Sequence, residues 1–180
     1  NFSIRLGNHE PLAQAECMEV SFKVTQDNVL FTYMYAIVLQ NPLNNPHNGH
    51  ESPWFQVSMR DENGVIIPCS GSYQVNSKGA VTGGDFIQAQ NPQCTKDKGD
   101  IWYKEWSNVP TDLRNYLGQT VTVEFCTADC GKGGHYGYAY IDAVCSPVPE
   151  LTADTVCTGS SLTLTVLFIL MIIIKHFPYF

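Results

Sequence analysis

Residues 125–146, FCTADCGKGGHYGYAYIDAVCS, limit what this chain can fold into more than any other stretch. A strand, a glycine-rich loop and a second strand follow one another there, with Cys126 and Cys130 before the glycines and Cys145 at the far end. Tyr136, Tyr138 and Tyr140 alternate with Gly137, Ala139 and Ile141, so one face of the second strand is aromatic and the other small or apolar. A strand without a polar face is expected between two layers, and the chain therefore reads as a β-sandwich.

The rest of the chain carries the same period. Met18, Val20, Phe22 and Val24 alternate with Glu19, Ser21, Lys23 and Thr25, the pattern of a half-buried strand. Residues 29–40, VLFTYMYAIVLQ, are apolar on both faces and rich in β-branched and aromatic side chains, which predicts a central strand. Phe55, Val57 and Met59 define another one-sided strand, and Asn63-Gly64 supplies the positive φ of a tight hairpin after it. A strand is expected to end near Trp106, with a one-turn helix at residues 111–113 after Pro110. Val121, Val123 and Phe125 then share one face of the next strand. No stretch sustains a helical period, and eight to ten short strands with long loops suit a jelly roll.

Composition narrows the function. The formal charge of −7, with ten scattered Lys and Arg residues, excludes the basic cluster on which nucleic-acid binding rests. Seven cysteines in a strand-rich chain favour disulfides in an oxidising compartment, so an extracellular or cell-surface location is expected. Cys130 with Cys145, Cys69 with Cys94 and Cys17 with Cys126 are compatible bridges, although spacing does not fix connectivity. Residues 148–165 read as a linker and the first strands of a second, incomplete β domain, which gives Cys157 a partner outside the sequence. Residues 166–174 are nine unbroken apolar residues, fewer than the roughly twenty that span a bilayer. The tail at 166–180 is either a ragged end or a weak membrane segment.

With both aromatic blocks in view, the chain resembles the jelly-roll, galactose-binding-like modules of secreted Bacteroidetes surface proteins, which precede PKD or immunoglobulin-like repeats in gliding-motility or type IX secretion contexts. The resemblance covers residues 1–147. It is carried by Ser3, Ile4, Arg5, Leu6, Gly7 and Asn8, by the strand at 29–40, by residues 106–125, and by Ala128-Asp129-Cys130 with Gly133-Gly134-His135-Tyr136-Gly137-Tyr138-Ala139-Tyr140-Ile141-Asp142. Residues 154–164 resemble the start of the following repeat. The resemblance implies a non-catalytic adhesion or glycan-binding module, with a spacer domain or an accessory domain of a secreted hydrolase as alternatives. It also implies a structural Ca²⁺ held by Asp142 near the last strand together with Asn8 and Glu16 from the first loop. Hard oxygen ligands suit that ion, while a surface Asp bonded to nearby backbone is the competing role for Asp142.

Three stretches of the sequence carry residue types that could do chemistry. His47-Asn48-Gly49-His50-Glu51 places two histidines beside a carboxylate, but Pro46, Gly49 and Pro53 exclude the helix on which an H-E-x-x-H zinc motif depends. The stretch reads as a solvated loop, and Trp54 beside it, with His50 and Trp102, as a ligand-contact surface. Asp129, Cys130 and His135 could be drawn as orienter, nucleophile and base; a Cys130–Cys145 disulfide across the loop is the favoured role for that cysteine. The glycines at 131–134 lack a following Gly-Lys-Ser/Thr and supply turn geometry rather than a phosphate cradle.

Overall fold

A computed structural model of the chain describes residues 2–42, 47, 51–68, 70–90 and 99–147, and the backbone of 151–153 and 164–166. The strands of its main body are β1 (Ile4–Gly7), β2 (Ala15–Lys23), β3 (Leu30–Pro42), β4 (Trp54–Arg60), β5 (Tyr73–Asn76), β6 (Ile87–Gln88), β7 (Gly99–Asp112), β8 (Thr120–Ala128) and β9 (Gly137–Ser146). They form two antiparallel sheets, one in the order β1-β9-β3-β7-β6 and the other β2-β8-β4-β5. The antiparallel pairs nest: β1 with β9, β2 with β8, β3 with β7 and β4 with β5. A long two-stranded ribbon rolled so that its successive segments fall alternately in two sheets has this order, and it is that of a jelly roll. Two further strands, β10 (Leu151–Ala153) and β11 (Leu164–Val166), pair with each other in a separate sheet.

The period-2 pattern fixes which residues are inside. Along β3, Phe31, Tyr33, Tyr35, Ile37 and Leu39 point inward, as expected for the central strand. They meet Phe55, Val57 and Met59 of β4 and Val121, Val123 and Phe125 of β8 in one core. Aromatic contacts bind the two layers: Tyr33 meets Phe125 edge-on at 5.5 Å, and Tyr35 stacks on Phe55 at 5.3 Å and on Tyr73 at 5.8 Å. Burial raises the phenol pKa values of Tyr33, Tyr35 and Tyr73 above the usual value.

Several local expectations are corrected. β7 does not end near Trp106 but runs on through Pro110 to Asp112. Its pairing with β3 slips at a bulge between Tyr35 and Ile37, and β6 covers it only at Trp102 and Tyr103. Pro110 therefore lies where β7 is an edge strand, and its missing N–H breaks no ladder on that side. The helical turn falls one step later, at Arg114–Tyr116. Helix α1 (Ser77–Thr82) was not anticipated; Asn76 caps it by accepting a bond from the Gly79 amide at 2.9 Å. The tyrosines of β9 also face differently from the two-layer expectation. Gly137, Ala139 and Ile141 point into the core, while Tyr138 and Tyr140 are half-buried on the outer face of the five-stranded sheet.

Candidate functional site

Three connections meet at one end of the sandwich, because β1 and β3 both pair with β9 there and the last residue of β8, Ala128, faces Trp54 at the start of β4. The β8–β9 connection is the centre of this end. Its first residue, Asp129, is 7% exposed, and its carboxylate accepts backbone N–H bonds from Leu12 at 3.2 Å, Gln14 at 3.3 Å and Gly137 at 3.1 Å. Asp129 thus holds the β1–β2 loop, including Ala13 at φ +57°, against the start of β9. An orienter beside a nucleophile is the role in which this carboxylate could be drawn from sequence. It instead organises backbone.

Cys130 follows, fully buried. Its amide donates to the His135 carbonyl at 2.9 Å, and its own carbonyl accepts from Gly133 at 2.8 Å, where φ is +67°. That closes residues 130–135 into a tight loop and shows which of its glycines supplies turn geometry. The close approach belongs to Gly137, where a Cβ would lie 2.9 Å from the Ala128 carbonyl oxygen and 3.0 Å from Leu39. Gly131 donates to the Glu51 carbonyl at 3.0 Å, and Lys132 pairs with Glu51 at 3.2 Å, so the loop is tied to the entry of β4.

His47, from the β3–β4 connection, completes the arrangement. It is 2% exposed rather than solvated, with Nε2 3.0 Å from Cys130 Sγ and its ring edge-on to His135 at 5.1 Å. Lys78 of α1 donates to the His47 carbonyl and holds that backbone. His135 is 8% exposed. One ligand atom from each of His47, Cys130 and His135 lies within 4.8 Å of the others, the one such convergence of three or more His, Cys, Asp or Glu side chains among the described residues. Two imidazoles and a thiol are borderline-to-soft ligands, the opposite of a calcium set. The Cys130 thiol is fully buried and faces His47 rather than solvent.

The residues proposed for calcium are not brought together. Asn8 bonds Gln14 Oε1 at 3.1 Å and accepts from the Glu10 amide, and Glu16 accepts from the Gly7 amide at 2.9 Å, so both serve the β1–β2 connection. Ile4 pairs with Ile141, which sets Asp142 level with residue 3, about 17 Å along the strand from Asn8. Asp142 bonds its neighbour's amide, that of Ala143, at 2.8 Å.

The proposed bridges fare unequally. Cys17 and Cys126 stand directly opposite in the β2–β8 register and form a disulfide with Cα atoms 4.2 Å apart. Cys130 and Cys145 are both free. Cys130 precedes β9 and Cys145 lies near its other end, opposite Phe31, so an extended strand of about 27 Å separates them. Cys69, Cys94 and His50 lie outside the described residues. The two tryptophans do not share a surface. Trp54 is half-buried on the outer face of the four-stranded sheet, whereas Trp102, opposite Leu39, turns inward and packs against the core with its Nε1 buried.

A different aromatic surface exists. On the outer face of the five-stranded sheet, Tyr138, Val38, Tyr103 and Ile87 stand directly opposite one another across β9, β3, β7 and β6. Tyr140 and Ala36 form the next rank, and Trp106, 52% exposed, sits at the bulge beside them. Tyr138 contacts Tyr140 edge-on at 5.9 Å. At about 4.8 Å per strand the first rank spans roughly 14 Å. Tyr138 and Tyr140 were legible from the alternation; Tyr103 and Trp106 join them only through the pairing of β3 with β7. Among the described residues no helix is long and apolar enough to cross a membrane. No protein-family model and no curated protein matches this chain.

Proposed function

We propose that this chain is a non-catalytic binding module of an exported, cell-surface protein, and that its ligand is a glycan stacked on the outer face of the five-stranded sheet. The observation that carries this is the rank Tyr138–Val38–Tyr103–Ile87 across four strands, with Tyr140 and Trp106 beside it. Tyrosine and tryptophan offer an apolar ring face for the C–H surface of a sugar and a polar edge for its hydroxyls. Partly exposed aromatics gathered on one sheet face are the kind of surface a ligand can use. The Cys17–Cys126 bridge fits an oxidising compartment, and the resemblance to Bacteroidetes surface modules points the same way.

A glycan array probed with the 180-residue chain, followed by calorimetry on any hit, tests the proposal. Tyr103→Ala and Tyr138→Ala are each expected to weaken binding by about tenfold, the equivalent of ~1.4 kcal/mol of stacking, while the far-UV circular dichroism is unchanged. Absence of binding across the array, or binding that survives the double substitution, would overturn it and leave the spacer role.

A further inference from the structure

We propose that His47, Cys130 and His135 form a binding site for a thiophilic transition-metal ion, Zn²⁺ or copper, that locks the loop end of the sandwich. The site is independent of glycan binding, since it lies inside the loop end and not on the outer face of the five-stranded sheet.

The geometry is close to that of a loaded site. Bond lengths of about 2.3 Å to sulfur and 2.0–2.1 Å to imidazole place tetrahedral ligand atoms about 3.3–3.6 Å apart. Here His47 Nε2 and Cys130 Sγ are 3.0 Å apart, and all three ligand atoms fall within 4.8 Å. Small side-chain rotations are enough to admit an ion between them. Zn²⁺, Cu⁺ and Cu²⁺ all accept two imidazoles and a thiolate, and Ca²⁺ and Mg²⁺ do not.

The supporting shell is already built. Cys130 is fixed by the hydrogen bond its backbone N–H donates to the His135 carbonyl, which also sets the spacing between the two ligands. His47 is held through its carbonyl by Lys78. Glu51 ties the Cys130 loop to the β3–β4 connection through Gly131 and Lys132. Ligands whose backbones are fixed by such bonds lose little freedom on binding, the usual arrangement around structural metals.

The ion would join residues 83 positions apart in sequence, so its binding adds directly to folding stability. On coordination the Cys130 thiol becomes a thiolate and releases one proton to solvent, with no change of oxidation state. A coordinated thiolate would also explain a free, buried cysteine in a chain that elsewhere forms a disulfide.

The full chain, purified without chelator, provides the test. Elemental analysis is expected to find about one zinc or copper per chain, and separate titrations of metal-free protein with Zn²⁺ and Cu⁺ distinguish the two. Co²⁺ substitution is expected to give a thiolate charge-transfer band at one equivalent. Cys130→Ser should abolish that band, His135→Ala should weaken uptake by about 100-fold or more, and Cys145→Ser should change neither. If the variants do not fold, wild-type protein alone decides, because a specific ion raises the melting temperature with concentration until the site saturates. The proposal is overturned if the purified protein holds no metal and neither Zn²⁺ nor Cu⁺ shifts the melting temperature. A cobalt band that persists in Cys130→Ser overturns it equally, because the thiolate would then be another cysteine.

Discussion

The two outer faces of the sandwich are made from the same kind of antiparallel strand and finish differently. On the four-stranded sheet the outward positions of β2, β8 and β4 include Glu19, Ser21, Lys23, Thr122, Glu124, Gln56, Ser58 and Arg60, with the Cys17–Cys126 disulfide among them and Trp54 at one end. Ser21 and Thr122 share a hydrogen bond at 2.8 Å, and Arg60 approaches Glu124 at 3.7 Å. The five-stranded sheet turns Tyr103, Tyr138, Tyr140, Trp106, Val38 and Met34 outward, with Arg5, Thr32, Asn108 and Asp142 beside them. Both sheets bury one face in a common core, so the contrast lies in the outer faces alone. A polar, cross-linked outer face is what solvent and covalent stability ask of a sheet; the aromatic one is the face to which the proposal assigns the glycan.

If the four-stranded face is the scaffold, its staple should matter most. The Cys17–Cys126 bridge closes a loop with a sequence separation of 109. In the chain-entropy account a loop of that size stabilises by roughly 3–5 kcal/mol. A Cys17→Ser/Cys126→Ser double variant is expected to lose that much in urea denaturation while glycan affinity measured on the folded fraction stays as in the parent. A loss of affinity without loss of stability would dissolve the division into scaffold face and binding face.

Tyrosines also face the core from both sheets, Tyr33 and Tyr35 from β3 and Tyr73 from β5, and these give the next effect. Burial raises the phenols of Tyr33 and Tyr35, and desolvation followed by the Tyr35 and Asp85 charges pushes Tyr73 up to about 12. Below the ordinary phenol value near 10 both folded and unfolded chains keep these protons, and stability is whole. As pH rises above that value the unfolded chain releases protons that the folded one retains. Stability then falls by up to ~1.4 kcal/mol per pH unit for each tyrosine until the raised values are passed. Alkaline unfolding followed by fluorescence should therefore begin above pH 10, and Tyr73→Phe should move it upward. An alkaline limb unmoved by that substitution would mean that Tyr73 does not couple to unfolding.

What could be read from sequence divides along the same physical line. Alternation along β2, β3, β4, β8 and β9 is local, and it foretold the sandwich, its central strand and the inward residues. The fate of a loop side chain is decided by partners far away in sequence. His47 reads as solvated because Pro46, Asn48 and Gly49 surround it, and it is buried because β3 and β4 deliver it onto Cys130 and His135. Its signal was present as Cys130 and His135 five residues apart with a histidine upstream, but no single helix or hairpin joins them. The calcium set failed for the converse reason. Asn8, Glu16 and Asp142 belong near one another by chain ends, and the β1–β9 register draws Asp142 away. The Cys130–Cys145 bridge failed because β9 is extended for its whole length between them.

The smallest effect is expected from the Arg60–Glu124 ion pair on the scaffold face. Arg60 and Glu124 are both partly exposed, at 35% and 27%, and their charged atoms stand 3.7 Å apart, beyond good hydrogen-bond distance. Such a pair is screened by salt and must hold two flexible side chains in place, so Arg60→Ala should cost less than about 1 kcal/mol, and less still at high ionic strength. The isolated bridge between Arg60 and Ile66 is a backbone contact that the substitution leaves intact. A cost well above that range, insensitive to salt, would show that Arg60 supports the face by packing its aliphatic stem over β8. The polar face would then be held by apolar contact as its aromatic counterpart is, and the difference between the two would narrow to what each presents to solvent.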